Sequence, residues 1–109
     1  MNEQIKEYLS KYPNEIIRLY GELRQLLFAS VSCEVTETLW AKLPSYYAGE
    51  SFVRLIPFKD HINIEARTAI LYKDRLTGYQ MTPKGMLQIR PGQEIPSGVL
   101  KQIFAGSLK

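Results

Sequence analysis

The stretch from Leu39 to Ala66, LWAKLPSYYAGESFVRLIPFKDHINIEA, limits what this chain can become more than any other. Phe52 to Phe58 places Phe52, Arg54, Ile56 and Phe58 on one side and Val53 and Leu55 on the other. His61 to Glu65 repeats the pattern, with Ile62 and Ile64 opposed to His61, Asn63 and Glu65. A period of two belongs to strands. The short Lys59-Asp60 connection predicts that these two strands pair antiparallel. Upstream, Glu34 to Trp40 alternates Val35, Glu37 and Leu39 with Thr36, Thr38 and Trp40, and its threonines favour strand over helix. Pro44 is expected to interrupt the sheet and mark its edge. Ala48-Gly49 is expected to turn the chain between Tyr46-Tyr47 and the next strand.

A sheet with so many apolar positions needs a cover, and both ends of the chain supply one. Ile5, Leu9 and Tyr12 recur at helical spacing and predict a short helix ending before Pro13. Pro13 suits the first turn of a second helix, whose stripe is Ile16, Leu19, Tyr20, Leu23, Leu26 and Leu27. Thr68 to Leu76 fits a short helix, with Thr68 as its N-cap and Gly78 as its stop. Thr82-Pro83-Lys84-Gly85 reads as a turn, Met86 to Arg90 as a last strand, and Pro91-Gly92 as its end. A final helix opens at Ile95-Pro96-Ser97 and presents Val99, Leu100, Ile103 and Phe104. The expected class is α+β: one domain over residues 1–109, with N-terminal and C-terminal helices packed on a single antiparallel sheet.

Composition enters mainly by exclusion. No apolar run reaches the roughly 18 residues of a membrane span, and the polar N-terminus is no secretory signal, so no membrane partner is expected. Cys33 is the one cysteine and has no internal partner, which fits a reducing cytoplasm. The net charge is +3, made of −1 over residues 1–58 and +4 over residues 59–109. The basic residues are scattered singly, and no motif supports nucleic-acid binding. The chain has no Gly-rich phosphate loop, nucleophile elbow, metalloprotease helix or convincing carboxylate pair, so no catalysis is expected. No cofactor is evident from the residues.

In order and spacing, the segments resemble the YdhG-like family of small bacterial proteins. That family is largely of unknown function, and some members are described as frataxin-like intracellular iron chaperones. The opening EYLSKYPNEI resembles the family's short helix followed by a proline-begun one. The family's Gly-Met-Pro before an aromatic strand is matched by Lys42-Leu43-Pro44-Ser45-Tyr46-Tyr47, and its Phe-Lys-Asn-His-Ile turn by Phe58-Lys59-Asp60-His61-Ile62. Gly78-Tyr79, Lys84-Gly85 with the strand Met86–Ile89, and Ile95-Pro96 before a helix complete the likeness. Ala41 and Lys42 stand where the family usually has Tyr-Gly, and Asn63-Ile64-Glu65 where glycine and aromatics are common. The resemblance implies a frataxin-like α/β sandwich and iron handling, with an iron-recipient protein as partner. Frataxin-type iron binding is expected to use carboxylates on the first helix and the neighbouring strand. Here the matching groups are Glu3, Glu7, Glu34 and Glu37.

The residues themselves leave two binding readings open. Trp40, Tyr46, Tyr47, Phe52, Phe58, Tyr72 and Tyr79 gather aromatic area around the sheet, either as core or as the lining of a small-ligand pocket. As a lining, the candidate set is Trp40, Tyr46, Tyr47, Arg54, Phe58, His61 and Tyr79. His61, the only histidine, lacks the two or three further ligands a durable metal site needs, and a hydrogen bond in its turn is the favoured role. The other reading is a protein interaction module, or a homodimeric scaffold, using the sheet face or edge. A concave aromatic pocket around His61 would favour the first, and a flat apolar face the second. Monomer and homodimer both fit.

Overall fold

Asn2 starts the regular structure: its Oδ1 accepts the Ile5 amide at 3.0 Å and caps α1, Glu3–Leu9. The same side chain donates through Nδ2 to the Glu37 carbonyl at 2.9 Å, tying the first helix to the first strand. The computed structural model describes every residue from Met1 to Lys109. Pro13 stands just before α2, Asn14–Ser30, where its carbonyl accepts from the Ile16 and Ile17 amides and its own missing N–H is no loss.

Six strands follow: β1 Thr36–Trp40, β2 Leu43–Ala48, β3 Ser51–Pro57, β4 Ile62–Ala66, β5 Gln80–Met81 and β6 Leu87–Ile89. They form one sheet in the order β1-β2-β3-β4-β6-β5, with every neighbouring pair antiparallel. A 3-10 helix, Ala69–Arg75, bridges β4 and β5, and α3, Ser97–Ser107, closes the chain. The protein is α+β, with helices at both ends of the chain packed on an antiparallel sheet. No helix is long and apolar enough to cross a membrane.

The period-two pattern decides which face of the sheet the helices cover. Val53, Leu55, Ile62, Ile64, Leu87 and Ile89 share one side by register and are fully buried. They meet Ile5 of α1, Ile16, Tyr20, Leu23 and Leu27 of α2, and Leu100, Ile103 and Phe104 of α3 in a core of 21 buried residues. Each such aliphatic side chain contributes about 1.5–3 kcal/mol by leaving water.

Several local expectations shift. The turn after β1 falls at Ala41-Lys42, and Pro44 lies inside β2, the second strand from the edge. Pro44 pairs with Leu39, but the β3 register begins only at Ser45–Arg54, so proline occupies a position with a strand on one side alone. Thr68 stands at the N-cap position of the 3-10 helix, as expected, but its side chain makes no capping bond. Its hydroxyl instead donates to the Ile103 carbonyl at 2.9 Å and lies 2.9 Å from Ser107 Oγ, pinning the loop to α3. That helix ends at Arg75, ahead of Gly78. β5 is too short to leave a periodic signal, and β1 begins two residues after Glu34.

The Ala41-Lys42 turn is strained. Both residues are left-handed, with φ of 50° and 67°, as a two-residue hairpin of this hand requires. Neither carries the Asn or Gly that tolerates such angles. Lys42→Gly is therefore expected to stabilise the fold by about 0.5–1 kcal/mol in urea denaturation. An unchanged or lowered midpoint would show that the strain is relieved elsewhere.

Candidate functional site

The face of the sheet turned away from the helices carries Thr36, Thr38 and Trp40 of β1, Ser45 and Tyr47 of β2, Phe52, Arg54 and Ile56 of β3, Asn63 and Glu65 of β4, and Gln88 of β6. Arg54 is its centre and is only 7% exposed. Its guanidinium carbon lies 4.2 Å from the Trp40 ring centroid and 4.0 Å from that of Phe52. Its Nε donates to Ser45 Oγ at 3.0 Å, Nη1 to Glu65 Oε1 at 3.1 Å and Nη2 to the Tyr47 hydroxyl at 3.4 Å. A planar fork can satisfy three acceptors and two rings at once, which an ammonium cannot. Trp40 is left 53% exposed beside the strained turn.

Where β3 begins and β4 ends, this face runs into a cleft of about 490 Å³. Phe52, Ile70 and Met86 provide its apolar lining, and Glu50, Glu65, Arg67 and Lys84 bring two charges of each sign to it. Arg67 donates to the Gly106 carbonyl at 2.9 Å, and Glu65 is held by Arg54. Arg67 and Lys84 form no ion pair with Glu50 or Glu65. The cleft thus offers donors and acceptors beside an apolar lining. Its size falls in the range of small-molecule sites, about 300–1,000 Å³.

The residues singled out from the sequence are only partly brought together. Trp40, Tyr47 and Arg54 share the open face. Tyr46 points the other way: it is fully buried under α2, with its hydroxyl 2.6 Å from that of Tyr20 and donating to Glu37 Oε2 at 2.8 Å. The reason is parity, since Tyr46 registers with Val53 of the core side. Phe58 and His61 stack at 4.6 Å on the β3–β4 connection, at the opposite end of β3 from the cleft. His61 Nδ1 is 2.7 Å from Asp60 Oδ1. The hydrogen bond from His61, and then Arg90 at 3.1 Å, hold the Asp60 carboxyl below its usual range. Tyr79 lies elsewhere again, its hydroxyl bonded to the Glu94 carbonyl.

The four carboxylates matched to iron binding do not converge. Glu3 projects into solvent beside Lys6, and Glu7 and Glu34 are exposed. Glu37 is 8% exposed and already takes Arg24, the Asn2 amide at 3.0 Å and Tyr46. No three His, Cys, Asp or Glu side chains stand close enough together to hold a metal ion. Burial pushes the Glu37 carboxyl up, but Arg24, the Asn2 N–H and Tyr46 more than offset it and hold it below the ordinary value. Burial, then Tyr20 and Glu37, raise the Tyr46 phenol.

Phe52, Glu65, Arg67, Lys84 and Met86, which line the cleft, do not stand out together in the sequence as one site. Alternation alone puts Phe52 beside Arg54, but nothing local brings β4's end and the Lys84-Gly85 turn to the same place. Comparison with protein-family models, with curated proteins and with solved structures returns no match for this chain.

Proposed function

We propose that this is a non-enzymatic binding domain that takes a small ligand carrying both charge signs in the cleft beside Phe52 and Met86. The single observation that carries this reading is the set of four charges, Glu50, Glu65, Arg67 and Lys84, lining one cleft together with apolar side chains and with no ion pair between them. A ligand with an ammonium and a carboxylate finds partners of both signs there, and the apolar lining excludes water from the contact. The YdhG-like resemblance supports a cytoplasmic binding protein and also brings iron delivery into consideration. The dispersed carboxylates favour the organic ligand over iron.

Thermal unfolding against a panel of zwitterions, with ferrous iron under anaerobic conditions, magnesium and zinc alongside, tests this directly. At 100 times its dissociation constant a ligand stabilises the fold by about 2.7 kcal/mol. At least one zwitterion is expected to raise the midpoint, and Lys84→Glu to abolish the shift while leaving the ligand-free stability within about 0.5 kcal/mol, as for an exposed side chain. A midpoint moved by ferrous iron and by no zwitterion would sink the cleft reading in favour of iron.

The half-exposed Trp40 favours a second reading, in which the flat part of the face seats a second copy of this chain. Trp, Tyr, Phe and Arg at its centre match the composition of protein interfaces. Trp40 is the sole tryptophan, so its fluorescence reports on that face alone. Self-association predicts iodide quenching that falls with protein concentration, in step with a rise in sedimentation coefficient. Quenching and sedimentation independent of concentration would exclude it.

A further inference from the structure

The four charges of the cleft are not equally free. Glu65 accepts from Arg54 Nη1 at 3.1 Å, and Arg54 stands outside the cleft lining. Their side chains are 33% and 8% exposed, so water screens this pair less than it would a surface pair. The other polar partners of Arg54 are the neutral hydroxyls of Ser45 and Tyr47. Its charge therefore cancels that of Glu65. Glu50 and Lys84 are exposed and belong to no ion pair. Arg67 donates to a neutral group, the Gly106 carbonyl, so its charge is not compensated either. All other lining residues are uncharged. Two free cations, Arg67 and Lys84, thus face one free carboxylate, Glu50.

Building on the proposed zwitterion site, we infer that its ligand is an amino dicarboxylate, with one ammonium and two carboxylate groups. A simple zwitterion leaves the lining with an uncompensated positive charge. A ligand of net charge −1 removes that excess, and a concave surface with an excess of one sign favours the opposite one. The ammonium goes to Glu50, and the two carboxylates go to Arg67 and Lys84. Arg54 is a positioning residue for this balance: it touches no ligand but takes the charge of Glu65 out of play.

Glutamate and glutamine, like aspartate and asparagine, are alike in shape and differ by one negative charge. Calorimetry on the full chain at pH 7 is expected to show each acid binding about fivefold tighter than its amide, the worth of one exposed ion pair. Added salt should narrow the gap, because exposed charges are readily screened. Lys84→Gln should weaken the acid more than the amide and bring the two together. Arg54→Met acts from outside the cleft. It returns the charge of Glu65 to the lining, balances the signs at two and two, and should also erase the preference. Should Arg54→Met fail to fold, the Lys84→Gln comparison decides alone. Amides that bind as tightly as their acids overturn the inference and leave the zwitterion site standing. So does a preference that survives either substitution, or binding by another zwitterion when none of these four binds. If no zwitterion binds at all, the site itself fails and the inference with it.

Discussion

Replacing Glu37 by Gln is expected to remove about 2–3 kcal/mol of stability and most of the fold's acid sensitivity. Glu37 receives Arg24 through both carboxylate oxygens, the Tyr46 hydroxyl and the Asn2 amide, while its backbone carbonyl receives the Asn2 side chain. The network therefore joins α1, α2, β1 and β2. Losing the charge leaves Arg24, a quarter exposed, partly desolvated without an anion, and leaves Tyr46 in the core with a poorer acceptor. Because Arg24 keeps some water, the cost sits at or below the low end of that for a fully buried pair. For a chain of this length the loss amounts to a fall of about 10 °C in the midpoint.

The pH dependence follows from the same contacts. The folded carboxyl titrates below its ordinary value of 4.5, so the unfolded chain takes up the proton first as the pH falls. The stabilisation is complete above that ordinary value and drains away as the pH drops through the folded pKa. Unfolding free energies of the natural chain and Glu37→Gln should differ most above about pH 5 and converge in acid. Curves that stay parallel throughout would show that Glu37 stabilises by shape and not by charge.

Arg54→Ala should cost about 3 kcal/mol, and Arg54→Lys most of that, in urea denaturation. Alanine removes a guanidinium packed between two rings, strips Glu65 of its cation and takes the Nε donor from the fully buried Ser45 hydroxyl. Lysine restores a charge but neither the plane nor the fork. Arg54→Met separates the two contributions, since it refills the space between Trp40 and Phe52 without any charge. In all three variants Trp40 emission should shift to the red, least for Met. If Arg54→Met matches the natural chain in stability, the polar contacts of Arg54 contribute nothing net, a known outcome for buried pairs. An unaltered Trp40 spectrum in Arg54→Ala would mean that the stack is not populated in solution.

What was legible in the chain is what short-range geometry controls. Helical spacing in residues 5–27 and 99–104, and alternation in 35–40, 52–58 and 61–65, prescribe which side chains must share a face, because backbone periodicity is set by a few neighbouring residues. Gly49, Gly85 and Gly92 mark bends for the same reason, each at a positive φ that the other residues avoid. The first hairpin broke that rule. Ala41 and Lys42 adopt left-handed angles against their own preference, since the pairing of β1 with β2 outweighs about 1 kcal/mol of local strain per residue.

Long-range arrival decided the rest. By resemblance Glu37 groups with Glu3, Glu7 and Glu34, but Arg24, thirteen positions away, comes to rest on it. Tyr46 and Tyr47 are neighbours in the chain but end on opposite faces, because the register with Val53 and Phe52 separates them. The cleft draws Glu50, Arg67 and Lys84 from three different loops, and no spacing within the chain encodes their meeting. Local periodicity determined which elements form; only the packing of those elements determined which side chains are left facing each other, and so where a ligand can bind.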